Sequence, residues 1–600
     1  MTLSRREFLT RAGVAGAAAG TFPWWFEPDL LAAPADLTTL GRTIVKGAKI
    51  GEGSLGAYYR LREGPGERHI VRAELMRSSN DARGGLVGTE AASRELLVVS
   101  AGGRRPATPL LTFVHLTDVH IVDAQSPARV EFLDRFADPG RGCESVPFSS
   151  AFRPQEQLTL QVLEAMVRAI RRVRRSPVTG KKPGFAVCTG DNIDNEQLNE
   201  LRWFIDTLDG GKRVSSNSGG KEYEGVQRAD WGDPEYWHPD PKVPDKFKQQ
   251  WGFPDYPGLF EAALKPFRAT GIGMPWLQTF GNHDGLMQGN TPRNPVFEGI
   301  AVGPAKIMAL PPGVNPCDAF QTLRDNPSAF LAAPAHPVAA DPERKILRRA
   351  EYIEEMFKSS GTPVGHGFRK SNRDDGIAYW FKDAGRFRLI GLDTVNPGGY
   401  DEGSLGMQQF TWLEERIREV SRTYLDGSGE ETRNKDAENK YVILFSHHGL
   451  RSLENPFIAP DPQEPRANDL PRVLADQVQA VLHRYPNVIA WVNGHTHENI
   501  VQARNGAGGG FWDIGTAAHI DWACQSRLID VVDNHDGTMS IWCTMLDHAA
   551  PVTPGGADDV LRVASISREL AANDFQKGFD SKGRGKRKDR NVELVLRKPF

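Results

Sequence analysis

Six apolar runs each stop abruptly at an ionisable or amide side chain, and this repetition constrains the fold more than any other feature of the chain. Leu111–Thr117 runs into Asp118 and His120, and Gly184–Thr189 runs into Gly190 and Asp191. Trp276–Phe280 meets Gly281-Asn282-His283-Asp284, and Phe387–Leu392 meets Asp393. Tyr441–Phe445 is followed by Ser446-His447-His448, and Val488–Val492 by Asn493-Gly494-His495-Thr496-His497. Short, continuous apolar runs of this kind read as strands buried on both faces.

Helical spacing falls between the runs. It covers Gln155–Arg175 (Leu158, Val162, Met166, Ile170), Gln408–Tyr424 (Leu413, Ile417, Val420) and Leu470–Tyr485 (Leu474, Val478, Val481). Strands alternating with helices predict an α/β core whose strand ends carry the functional groups. After His497 the pattern turns to strands alone, at Phe511–Ile514, Arg527–Val532 and Met539–Met545. Asn534-His535-Asp536-Gly537 is the turn of a hairpin between the last two, and a second sheet completes a sandwich.

Two segments interrupt this core, 206–265 and 285–383, both rich in Pro, Gly and Asn and without sustained periodicity. Long stretches of this kind act as lids or insertions more often than as connections. Trp231, Tyr236, Trp237, Trp251, Phe253 and Tyr256 in the first form either a local core or a cavity wall. Residues 36–108 are expected to form a β-rich lead-in, 109–550 the main domain, and 551–600 a basic, partly disordered tail. Lys577–Arg590 in that tail reads as a solvated end, with anion binding as the alternative.

Ser4-Arg5-Arg6-Glu7-Phe8-Leu9-Thr10 resembles the twin-arginine export motif, and Ala33-Pro34-Ala35 offers a cleavage site. Residues 1–35 are therefore expected to be a signal read by the twin-arginine export machinery. The expected location is periplasmic, cell-wall or extracellular. Beyond the first forty residues nothing approaches the ~20 apolar residues of a membrane span. A net charge of -3 gives no argument for a nucleic-acid partner. The five cysteines match no zinc or redox spacing. Cys188 reads as buried and inert, Cys524 and Cys543 could pair, and the disulfides stay open.

Taken together, Asp118, His120, Asp191, Asn282, His447, His495 and His497 are carboxylates, imidazoles and one amide at successive strand ends. Such a donor set suits manganese, zinc or iron better than calcium or magnesium alone. One carboxylate can bridge two cations, and a pair of cations ~3.5–4 Å apart can clamp both the attacking and the leaving oxygen of a phosphoryl transfer.

The order Asp-x-His, Gly-Asp, Gly-Asn-His-Asp, His after a strand, and Gly-His-x-His resembles the calcineurin-like metallophosphoesterase family. The resemblance spans about Leu111–Met545 outside the two insertions. It implies a two-layer β-sandwich flanked by helices, with two metal ions at the strand ends. By the same resemblance one ion takes Asp118, His120 and His497, the other takes Asn282, His447 and His495, and Asp191 bridges them. His447 is preferred to His448, although the family's Pro two residues on is Gly449 here. A metal-bridging hydroxide would attack the phosphoester, His283 would protonate the leaving alkoxide, and Asp284 would orient His283. His448, Asn192, Asp194 and His519 are candidates for supporting positions. Purple acid phosphatases in the family carry a Tyr three residues after the bridging Asp; Asp194 stands there in this chain, which argues against an iron–tyrosinate site. The implied substrate is a phosphodiester or a small organic phosphate, with a phosphomonoester as the alternative and a non-catalytic metal binder as a third reading.

Overall fold

The computed structural model describes residues 37–75, 107–138, 143, 146–458, 470–506, 508–555 and 558–600. The expected export signal lies outside them. The chain is mixed α/β with two large sheets. In chain order their strands are β1 (Ile70–Leu75), β2 (Thr108–Leu116), β3 (Phe185–Thr189) and β4 (Trp276–Thr279). Next come β5 (Trp380–Ala384), β6 (Phe387–Gly391), β7 (Tyr441–Phe445) and β8 (Val488–Asn493). The last are β9 (Ile500–Arg504), β10 (Phe511–Gly515), β11 (Gln525–Asp533), β12 (Thr538–Asp547) and β13 (Val592–Arg597). One sheet has the order β1-β13-β12-β11-β2-β3-β4, the other β5-β6-β7-β8-β10-β9.

In the first sheet β2, β3 and β4 run parallel. In the second, β6, β7, β8 and β10 do the same. Parallel pairing brings the C-terminal ends of neighbouring strands to one edge, where ionisable side chains can meet. Alternate residues on β7 explain its continuous apolar run. Val442 and Leu444 pack with Leu413, Ile417, Val478 and Leu482 of helices Met407–Arg418 and Ala475–Leu482. Tyr441, Ile443 and Phe445 point the other way, into a core shared with the first sheet, where Phe445 meets Phe113 edge-on at 5.7 Å. Both faces are covered, so both sets of positions must be apolar. The hairpin expected at Asn534–Gly537 joins β11 and β12, with Asn534 N donating to Thr538 O.

Both insertions carry cores of their own. In the first, Tyr236, Trp237, Phe247 and Phe253 pack with Tyr58, Ile566 and Leu570. Trp251 stacks on Phe575 and Trp231 on His336. The aromatic cluster is thus core and stacking rather than a cavity wall. In the second, Phe297, Phe320, Leu323 and Phe330 pack with Phe132 and Phe148, and a Cys143–Cys317 disulfide ties the insertion to the chain before Phe148. Cys188, Cys524 and Cys543 are free and buried, so the Cys524–Cys543 pairing that the sequence allowed does not occur.

The C-terminal region differs from the expected disordered tail. Helix Asp559–Asn573 buries Val560, Val563, Ile566 and Leu570, which recur at helical spacing. β13 alternates buried Val592, Leu594 and Leu596 and pairs with both β12 and β1. The basic residues between them drew attention away from these two apolar patterns, and Arg590 pairs with Glu67 of the lead-in. Leu594 is fully buried, so Leu594→Ala is expected to cost about 2–5 kcal/mol of stability, read as a lower denaturant midpoint. A solvated tail would give no shift.

Candidate metal centre

The glycines of the motifs exist because strand ends abut. A Cβ on Gly494 would lie 1.9 Å from Thr117 Oγ1 and 2.3 Å from Asp118 Oδ2, and one on Gly281 would lie 2.3 Å from Asp191 N. Only a residue without a side chain lets β8 approach the end of β2, or β4 the end of β3. Past the strands the backbone turns sharply. Asp118, His120, Asp191, His495 and His497 all adopt left-handed φ values between 45° and 67°. Non-glycine residues held there cost of order 1–3 kcal/mol each, and such strain gathers at functional sites.

These turns bring all seven candidate ligands together at the meeting of the two sheets. Asp118 Oδ1 lies 3.2 Å from His497 Nε2, and Asp191 Oδ2 lies 3.1 Å from His447 Nε2 and 3.5 Å from His120 Nε2. His120 Nε2 faces His497 Nε2 at 3.3 Å, and His447 Nε2 faces His495 Nδ1 at 3.2 Å. Ligand atoms of Asp118, His120 and His497 lie within 4.8 Å of one another, as do those of Asp118, Asp191 and His447. Asp191 reaches histidines of both groups, the position a bridging carboxylate needs.

The other ring nitrogens are already committed. His120 Nδ1 pairs with Asp194 Oδ1 at 2.9 Å and His497 Nδ1 with Asp521 Oδ2 at 2.6 Å. His447 Nδ1 donates to the Thr189 carbonyl at 3.0 Å. The Nε2 atoms of His120, His447 and His497 are therefore the nitrogens turned inward, available to a proton or to a metal ion. Once His497 gives up its proton, the two facing lone pairs of His120 and His497 suit a metal cation between them. Asn282 gives a second, independent sign: its Nδ2 donates to Gly289 O at 3.0 Å, while its buried Oδ1 has no hydrogen-bond partner. An orphaned amide oxygen on a residue that lines the same cavity as His120, Asp191, His495 and His497 fits a metal ligand.

The charges follow the geometry. Burial works against charge on His447 and His497, but the facing carboxylates outweigh it, Asp191 chiefly for His447 and Asp118 for His497, raising both to about 9. Asp118 and Asp191 are held below the usual carboxylate range by the histidines, again against burial. Burial lowers His283 to about 4, and burial with the Asp191 charge raises Asp284 to about 8.

The expected role of Asp284 is not what the geometry gives. Its Oδ2 accepts from Gly281 N at 2.8 Å, and its Oδ1 accepts from Asn192 N and Ile193 N. Being adjacent in sequence to His283, it turns inward to cap the turn while His283 turns to the cavity. His283 Nδ1 instead donates to the Asp194 carbonyl at 2.7 Å, with Asp194 Oδ1 at 3.5 Å. Asp194 thus orients both His120 and His283. His448 has both ring nitrogens engaged, with Thr394 Oγ1 and Asp401 O, which leaves His447 as the histidine free to ligate. Asn192 and His519 stand behind the site: Asn192 bonds Tyr352, and His519 bonds Ser526 and donates its backbone N–H to Asp118 O. Sequence reasoning missed Asp521, Thr189, Arg129 and Arg153. Arg129 binds Asp194, and Arg153 Nε binds Asp521 Oδ1 at 2.8 Å.

No protein-family profile matches the chain. No curated protein matches it either. Among solved structures it is similar to a purple acid phosphatase isolated from yellow lupin (Lupinus luteus) seeds, at 11% identity with a TM-score of 0.25. That similarity covers 72% of this chain and 51% of the lupin chain, so the chain spans about half the length of the structure it matches. A likeness at this level settles neither fold nor function.

Two predictions come from the site. Replacing Asp521 with Ala frees the His497 ring and should weaken metal binding about 10–100-fold by calorimetry. Metal affinity should also rise with pH up to about 9, because His447 and His497 hold protons below that value and must lose them to ligate. Titrations in buffers of different ionisation enthalpy should report proton release at pH 7; none would contradict the assignment.

Proposed function

We propose that the protein is a dinuclear metal-dependent phosphoester hydrolase acting outside the cytoplasm, on the calcineurin-like metallophosphoesterase fold. One observation carries the reading. The motif residues that resemble that family converge as a bridged pair of ligand groups, with their outer nitrogens tied off and the Asn282 oxygen left orphaned. In this reading the two large sheets are the two layers of the fold. Asp118, His120 and His497 hold one ion, Asn282, His447 and His495 the other, and Asp191 both.

Two bound manganese, zinc or iron ions would neutralise phosphoryl oxygens and acidify the attacking water. The chain's own residues do the rest. Asp194 and Asp521 fix the rings of His120 and His497. His283 lines the cavity with its Nδ1 spent on the Asp194 carbonyl, so Nε2 is the nitrogen left for substrate. Burial keeps that ring neutral before substrate arrives. An anionic ester beside it favours protonation, and the proton then passes from Nε2 to the leaving oxygen. The cavity of about 320 Å³ suits a small organic phosphate or a compact diester, with a monoester as the alternative. The Cys143–Cys317 disulfide, like the twin-arginine resemblance, supports an oxidising compartment.

The test is hydrolysis of bis-p-nitrophenyl phosphate, p-nitrophenyl phosphate and an alkyl phosphate by protein stripped and reloaded with each metal. Turnover restored by metal is expected. His283→Ala should lose about 10²–10⁴-fold on the alkyl ester, and less where a p-nitrophenolate leaves without needing a proton. Two metals bound with no turnover of any ester would reject the hydrolase reading.

A further inference from the structure

The cavity above the metal centre is hydrophilic. Its walls carry the hydroxyls of Ser149, Ser150, Ser452 and Thr496, with Phe148 as the aromatic contribution. Three cations line it: Arg153, Arg451 and Lys577. Arg153 is neutralised by Asp521, and Arg451 Nη1 lies 3.1 Å from Glu498 Oε2. Lys577 is half-buried and, among the described residues, has no carboxylate within ion-pair distance.

Lys577 is held in place by its backbone. Gly578 N donates to Asp574 O and Phe579 N to Ala572 O, both at 2.8 Å, closing the turn after helix Asp559–Asn573. Further along, Asn499 N donates to Gly583 O at 2.9 Å. A Cβ on Gly583 would lie 2.1 Å from Trp522 O and 3.2 Å from His497 O. The segment is therefore docked against the loop that carries His497, as a wall of the cavity. Lys577 lines the cavity together with Arg153 and His497. Carboxylates line the cavity as well: Asp401 and Glu402, with Glu402 Oε2 3.7 Å from His495 Nε2.

A partly desolvated ammonium without a counter-ion gains most from an anionic ligand. The scissile phosphoryl group already has the metal centre and His283. We propose that Lys577 is a substrate-recognition residue whose ammonium binds an anionic substituent on the organic part of a small hydroxylated phosphoester. Asp401 and Glu402 repel that substituent, so the charges of the lining set its orientation. The inference rests on the phosphoesterase reading for the position of the phosphoryl group.

The experiment measures binding of two probes that differ in one group, 3-phosphoglycerate and glycerol 3-phosphate, to the manganese-loaded full chain. It uses the His283→Ala background, so that turnover does not consume the ligand. The carboxylated ester should bind at least tenfold more tightly. Lys577→Gln should bring the two affinities within about twofold, chiefly by weakening the carboxylated one, and Lys577→Arg should keep the preference. Equal affinities before any change at Lys577 would overturn the proposal without recourse to a variant, as would a preference that survives Lys577→Gln. Turnover of the p-nitrophenyl esters by the His283-intact chain reports separately on hydrolysis. Inert esters with the Lys577-dependent preference intact would reject hydrolysis and leave the recognition role standing.

Discussion

Two pairs of part-buried imidazole nitrogens face each other at 3.2–3.3 Å, and the rest of the structure is arranged so that they do. A proton on His447 or His497 holds each pair together, and a metal ion that replaces it can draw on both nitrogens. The parallel strands bring the rings to one edge. The glycines let the strand ends meet, and the left-handed turns at Asp118, His120, Asp191, His495 and His497 aim the side chains inward. Each device costs folding free energy, which metal binding at this site would return.

Behind the ligands stands a layer of buried charge. Asp194 and Asp521 hold the outer nitrogens of His120 and His497, and Arg129 and Arg153 in turn hold the two carboxylates. Arg129 also meets Glu131 and Glu156, and Glu131 takes Lys306 from the second insertion at 2.8 Å. All of these groups are buried, so removing any one leaves an uncompensated partner, which is strongly destabilising. The second insertion is thereby tied to the site electrostatically, and covalently through Cys143–Cys317 to the chain that supplies Ser149 and Ser150 to the cavity. The second insertion also reaches the cavity itself, through Gln288 and Asn290.

The strands and the donor side chains at their ends were legible because both are local: an apolar run, then a donor within two or three residues. The Asn534–Gly537 hairpin was legible for the same reason. Asp521 was not, since it lies 24 residues from His497 and meets it only when the chain between them folds back. Arg129, Arg153 and Lys577 escaped likewise, each being one basic residue among 73. Asp284 was expected to orient His283 because the two are adjacent in sequence, whereas neighbouring residues in a turn point apart and Asp194 takes that place. The C-terminal region was misread because its basic stretch outweighed the helical spacing of Val563, Ile566 and Leu570 and the alternation in β13.

The measurement that bears most directly on this account is the anomalous scattering of crystals of the full chain grown with manganese, or X-ray absorption of the same protein in solution. Two ions per chain are predicted, about 3.5–4 Å apart, with Asp191 touching both and Asn282 Oδ1 on one of them. No ion at this position, or a single ion with Asn282 Oδ1 outside its coordination sphere, would contradict the dinuclear centre on which the account rests.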